Sequence, residues 1–166
     1  MHRVHYLKAL PNVNCNFKSH LAMAYLLKNS TQVVHTLEQT AQSIKDDVNF
    51  EFKRLGLRLS YDQWIVLSAI HNVEGQTQIQ LARSCRKEPA SICRTLKVLS
   101  RKGLISQYSV LSNKKSQRVK LTRKGIDLVL ITSQSVEKVS KRCLESLFDR
   151  ELNLFTSILD RIQASA

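Results

Sequence analysis

The chain leaves helical spacing at one place only, and that place narrows the folds open to it. From Leu104 to Leu111 the residues change period, with Ile105, Gln107 or Tyr108, and Val110 alternating as a strand does. Ser112-Asn113-Lys114-Lys115-Ser116 is a polar turn, and Arg118-Val-Lys-Leu-Thr122 alternates again as a returning strand. Together they form one β-hairpin with a basic tip. Everything else ordered reads as helix, so the expected class is mainly α with a small β-hairpin.

The helices are delimited by few punctuating residues. Residues 1–17, with Pro11 and Asn at 12, 14 and 16, read as an N-terminal arm. From His20 to about Leu55 there is no Gly or Pro, and Leu26, Leu27, Val33, Val34, Leu37, Ala41, Ile44, Val48 and Phe52 recur near the helical period. This is one long amphipathic helix, with Asn29-Ser30 as a point of interruption and Gly56 as its stop. Ser60 and Gln63 have capping-box spacing before a helix from Tyr61 to His71, whose inward residues are Trp64, Leu67 and Ile70. Thr77 caps a short helix, Gln78 to about Ser84, with Ile79 and Leu81-Ala82 as its buried contacts. Pro89 suits the first turn of the next helix, which runs to Lys102 and stops at Gly103. After the hairpin a second long helix runs from Lys124 through Leu147. A last amphipathic helix carries Leu152, Phe155, Ile158, Leu159 and Ile162. The apolar stripes of the outer helices are too wide for a lone three-helix core, and a helical dimer interface is their expected use.

Charge then points to a partner. The chain is +13, and the segment from Arg86 to Lys124 holds twelve basic residues against one acid, Glu88. That segment alone is +11, leaving +2 for the rest. A block so one-sided repels itself, and a polyanion would relieve the repulsion. Two short helices joined by a tight turn, the second of them basic, have the form of a helix-turn-helix. In the second helix Ile92, Leu96 and Leu99 share a core-facing stripe, while Ala90, Ser91, Arg94, Lys97 and Arg101 lie opposite. Small residues at its start admit the helix to a major groove, and Arg94 is placed for guanine O6 and N7 or for a phosphate. The hairpin supplies Lys114 and Lys115 at its tip. Arg118 and Lys120 on the return strand are placed for phosphates.

At these residues the chain resembles the MarR family. The resemblance rests on Thr77-Gln-Ile-Gln-Leu-Ala-Arg, on Glu88-Pro-Ala-Ser-Ile-Cys-Arg-Thr-Leu-Lys-Val-Leu-Ser-Arg-Lys-Gly-Leu-Ile-Ser106 and on Arg118-Val-Lys-Leu-Thr-Arg-Lys-Gly125. The Gln-Ile-Gln-Leu-Ala and Lys-Gly-Leu-Ile-Ser stretches are most similar to its SlyA branch. The resemblance implies a winged helix-turn-helix lobe over 57–125, with dimerisation helices over 18–56 and 126–166. It implies a bacterial transcriptional regulator, with a repressor expected, and the lack of a sustained apolar run at Met1–Lys8 makes a cytoplasmic protein the expectation. Such a protein is a homodimer on double-stranded DNA at a near-palindromic operator. Ser91, Arg94 and Thr95 fall at recognition-helix positions that the family uses near DNA, and with Gln78, Ala90, Lys97, Arg101, Lys114, Lys115, Arg118 and Lys120 they make up the expected DNA-binding set. The family's wing usually carries Asp-Arg-Arg or Asp-Lys-Arg, where this chain has Asn113-Lys114-Lys115. Lys115 keeps the charge but not the planar guanidinium, and Asn113 cannot form the ion pair. Many members bind small aromatic carboxylates, for which Trp64 and Thr95 are candidates. Core packing is the plainer reading of Trp64. Others sense oxidants through cysteine. Cys15, before the first long helix, has no adjacent cation, whereas Cys93 lies beside Arg94; a buried inert thiol is the default for both.

Other classes fit less well. There is no Gly-rich phosphate loop, no G-x-S-x-G or H-E-x-x-H, and no Cys/His metal spacing, so neither an enzyme nor a metal or cofactor is expected. No apolar run approaches membrane-spanning length. A charge-reading architectural or RNA-associated winged-helix protein stays open, because it needs the same basic surface. A winged-helix protein–protein module would need an apolar or mixed recognition face.

Overall fold

The computed structural model describes residues 15–110 and 113–165, with side chains over 29–109 and 117–165. The chain divides into two compact units, Met1–Ser43 and Ile44–Ala166. In the first, the described residues are all part of helix α1, which spans Cys15–Arg54. No interruption occurs at Asn29-Ser30, since either residue costs a helix interior only a few tenths of a kcal/mol. The helix also starts inside the predicted arm, so Cys15 is its first residue rather than part of a lead-in. The rest of the arm, residues 1–14, lies outside the described residues.

The second unit is built around short helices and a small sheet. After the last turns of α1 come α2 (Tyr61–Asn72), β1 (Gln76–Thr77), α3 (Gln78–Ser84) and α4 (Pro89–Arg101). Strands β2 (Ile105–Val110) and β3 (Asn113–Leu121) precede α5 (Arg123–Leu144) and α6 (Asp149–Ser165). The sheet is antiparallel in the order β1-β3-β2. Its two-residue strand β1, pairing Gln76 with Val119 and Thr77 with Arg118, was not foreseen from the sequence. The core gathers Val48 and Phe52 of α1 with Val66, Leu67 and Ile70 of α2, Leu81 of α3, and Ile92, Leu96 and Leu99 of α4. Leu59, Ala82, Leu104 and Ile105, Val119 of β3, and Val129 and Val139 of α5 complete it.

Local chemistry accounts for most of the element ends. Ser60 caps α2 by accepting from the Gln63 amide, but the reciprocal half of the predicted capping box is missing. The Gln63 side-chain oxygen instead accepts from Lys102 Nζ at 2.8 Å. A complete box stands at α3, where Thr77 and Gln80 bond reciprocally. Buried Gln76 locks the connection. Its Nε2 donates to the Ala69 and Val73 carbonyls at 2.9 Å each, and its Oε1 accepts from Ser84 Oγ. Ile79 is not a buried contact of α3. It is 60% exposed, because Leu81 and Ala82 take the inward face and a residue two positions earlier projects about 200° round the helix. α5 begins at Arg123, capped by Thr122, and ends at Leu144, so Leu147 lies beyond it rather than within it.

Candidate nucleic-acid interface

Helix α4 has the two faces that its spacing predicted. Ile92, Leu96 and Leu99 are fully buried, while Ala90, Arg94, Lys97 and Arg101 are exposed and Ser91, Cys93 and Thr95 are half-buried. Core burial of one stripe fixes the helix, and the opposite stripe is left open to a partner. The start of α4 is also tied to α3. Gln78 Nε2 donates to the Pro89 carbonyl at 3.1 Å, so Gln78 spends an amide proton on positioning the helix. This bond ties α3 to the first turn of α4.

The structure sorts the ten basic residues of the block whose side chains are described by what they already hold. Lys87 Nζ is paired with Asp62 at 2.5 Å. Half-buried Lys102 donates to the Arg58 carbonyl and to Gln63, and desolvation pushes its pKa below the ordinary 10.5. Lys124 donates to the Lys102 carbonyl at 3.1 Å, and Arg123 pairs with Asp127 at 3.2 Å. Lys87, Lys102 and Lys124 thus tie separate elements together, whereas Arg123 pairs only within α5. Arg94 and Lys97 have no side-chain partner among the described residues. Arg101 makes only a long contact, 3.4 Å, to the Lys97 carbonyl. Free charge is therefore concentrated on the outer face of α4.

The hairpin is less uniform. Arg118, expected at a phosphate, is half-buried, and its Nη1 donates to the Gly75 carbonyl at 2.6 Å. It clamps β3 to the turn before β1, and four of its five N–H groups remain for other acceptors. Lys120 is exposed, with its Nζ 5.5 Å from the centroid of the Tyr108 ring. β3 already begins at Asn113, paired with Val110 across a register shift. Lys114 and Lys115 thus lie on the strand beside the turn rather than in the turn itself, and their side chains are outside the described residues.

The remaining candidates are scattered. Trp64 is half-buried against the core and stacked on Tyr61 with ring centroids 5.8 Å apart. Its Nε1–H is buried and has no acceptor. Cys93 is a half-buried free thiol on α4, and the side chain of Cys15 is not described. No group of three or more His, Cys, Asp or Glu with metal-binding proximity occurs among the described residues. No described helix is long and apolar enough to cross a membrane.

Comparison with known proteins bears on this lobe directly. Residues 55–113 match the model of the MarR family, a span from the end of α1 to the start of β3. Among solved structures, the transcriptional regulator SlyA superposes with a TM-score of 0.75 at 23% identity, over 80% of this chain and 92% of that one. A cysteine-to-serine mutant of MarR from E. coli, complexed with operator DNA, gives 0.75 at 19% identity, over 82% and 97%. A complex of MepR from S. aureus with DNA gives 0.74 at 18%, over 79% and 95%. At such identities the superpositions speak for the fold, and the helices flanking the winged helix are included in it.

Proposed function

We propose that this chain is a DNA-binding transcription regulator of the MarR type, as its match to that family's model over residues 55–113 supports. It acts as a homodimer that reads a near-palindromic operator, and its working place is the cytoplasm. The observation that carries the reading is α4, anchored by Ile92, Leu96 and Leu99 and presenting the unpaired cations Arg94 and Lys97 outward. Ala90 and Ser91 leave room at its N-terminal end for a base edge, and Thr95 and Arg101 flank the same face. Gln78 positions that end. Lys114, Lys115 and Lys120 of the hairpin reach the flanking backbone, and Arg118 adds its remaining donors there. The structures of MarR and MepR bound to DNA supply the precedent for this fold on a duplex.

Residues 57–125 form the reading lobe in this proposal, and the helices of 18–56 and 126–166 pair two copies. Val48 and Phe52, near the end of the first helical region, also serve the core of the lobe. Trp64 offers an unpaired buried donor to the carboxylate of a small aromatic effector, and Thr95 of α4 is the second candidate contact. Trp64 is the only tryptophan, so its fluorescence would report such a ligand directly.

Selection of bound duplexes from a random pool tests the main reading. A two-fold-symmetric consensus is the expected result. Enrichment without any consensus would replace it with a charge-reading architectural protein.

A further inference from the structure

Three helices of the chain end in the same backbone turn, and one of them uses the wrong residue for it. After α1 the Gly56 and Leu57 amides donate to the Lys53 and Phe52 carbonyls at 3.0 and 2.9 Å. After α4 the Gly103 and Leu104 amides donate to those of Ser100 and Leu99 at 2.9 and 3.0 Å. After α3 the Arg86 and Lys87 amides do the same to Arg83 and Ala82, at 3.1 and 2.9 Å. The turn requires a left-handed residue at its fifth position, which glycine adopts without strain. Gly56 and Gly103 sit there at φ of 70° and 68°, and Arg86 sits there at 48°, the one non-glycine at positive φ among the described residues. Where nothing but the turn is at stake, this chain uses glycine.

We propose that Arg86 holds a backbone phosphate of duplex DNA beside the N-terminal end of α4, and that this contact is what the strained turn secures. The proposal rests on the DNA-binding reading above. Arg86 is exposed and has no side-chain partner among the described residues, three positions before Pro89 opens α4. Its neighbour Lys87 is already engaged by Asp62, so Arg86 is the one free cation of the α3–α4 turn. The positive end of the α4 dipole lies beside it and favours the same anion. An arginine also binds phosphate through a planar fork that asparagine, the other residue tolerant of this backbone, lacks.

Fluorescence anisotropy on a mixed-sequence duplex, repeated across a salt series, separates charge from turn geometry. Arg86→Gln keeps the strained backbone and removes the charge. It should weaken low-salt binding about tenfold and flatten the salt dependence by about 0.9 in log–log slope. Arg86→Lys should restore most of that slope. Arg86→Gly should lose the same slope while raising the thermal midpoint by about 2–4 °C, as the strain is relieved. An unchanged slope in Arg86→Gln overturns the assignment, even if Arg86→Gly binds less well, since the effect is then one of turn geometry. A wild-type chain with no salt-dependent affinity for duplex overturns the DNA-binding reading and this contact with it.

Discussion

A Cβ placed on Gly125 would stand 2.1 Å from the carbonyl oxygen of Leu104 and 3.1 Å from its carbonyl carbon. That carbonyl cannot withdraw cheaply. It already accepts from the Thr122 amide at 3.0 Å, and the Thr122 hydroxyl holds the neighbouring Gly103 carbonyl at 2.7 Å. Gly125→Ala is therefore expected to cost about 3 kcal/mol by overpacking, read as a shift in the urea midpoint. Gly103→Ala meets no atom within 4 Å and should cost only the left-handed strain, about 1 kcal/mol. Equal losses in the two variants would refute the steric account. Arg94 is the opposite kind of residue, exposed and unpaired, so its loss should leave stability within about 0.5 kcal/mol. Binding is where Arg94→Ala should register, with about 1–3 kcal/mol lost on the selected operator and a looser choice of sequence. Equal losses on operator and random duplex would reduce Arg94 to a phosphate contact.

At the scale of elements, what could be read from the sequence was what local spacing encodes. The two faces of α4, the glycine stops at 56 and 103 and the caps at Ser60 and Thr77 depend on residues within a few positions of one another. What escaped depends on distant partners. Strand β1 is two residues long and exists only because β3 returns beside it. The basic block looked uniform because a charge count cannot see that Lys87, Arg118 and Lys102 are held by groups 25, 43 and 44 residues away in the chain. Ile79 was misplaced because a two-turn helix has one inward direction, and Leu81 and Ala82 already take it. Two ion pairs on helix surfaces bear on the acid response. Hydrogen bonding to Arg54 holds the Glu51 carboxyl below its usual 4.5, and hydrogen bonding to Lys141 does the same for Glu137. A carboxylate with a depressed folded pKa contributes stability that is present above its unfolded pKa and lost as pH falls through the folded one. Replacing both by Gln should thus narrow the stability difference between neutral pH and about pH 3. Chemical denaturation at the two pH values measures it, and an undiminished difference would assign the acid response elsewhere.

For the whole molecule, the open question is what covers α6. None of its 17 residues is buried, and Leu154, Phe155, Ile158 and Ile162 are exposed along one side. A helix of that length is marginal in water unless its apolar stripe is packed. Such a stripe on an isolated chain is also a liability for aggregation. In the proposed homodimer a second copy would relieve both problems, because a two-fold axis sets like stripes against each other. It also serves the proposed function, since two linked lobes engage two half-sites and the second contact becomes intramolecular. Linkage of that kind raises affinity by roughly 10²–10⁴ without adding a contact to either lobe. Phe155→Glu combined with Ile158→Glu should convert a dimer to a monomer in micromolar sedimentation. The same variant should lose about two decades of operator affinity while its affinity for a single half-site stays near that of the parent. A doubly substituted chain that still sediments as a dimer would remove α6 from the interface. One that is monomeric yet binds the full operator undiminished would remove pairing from recognition.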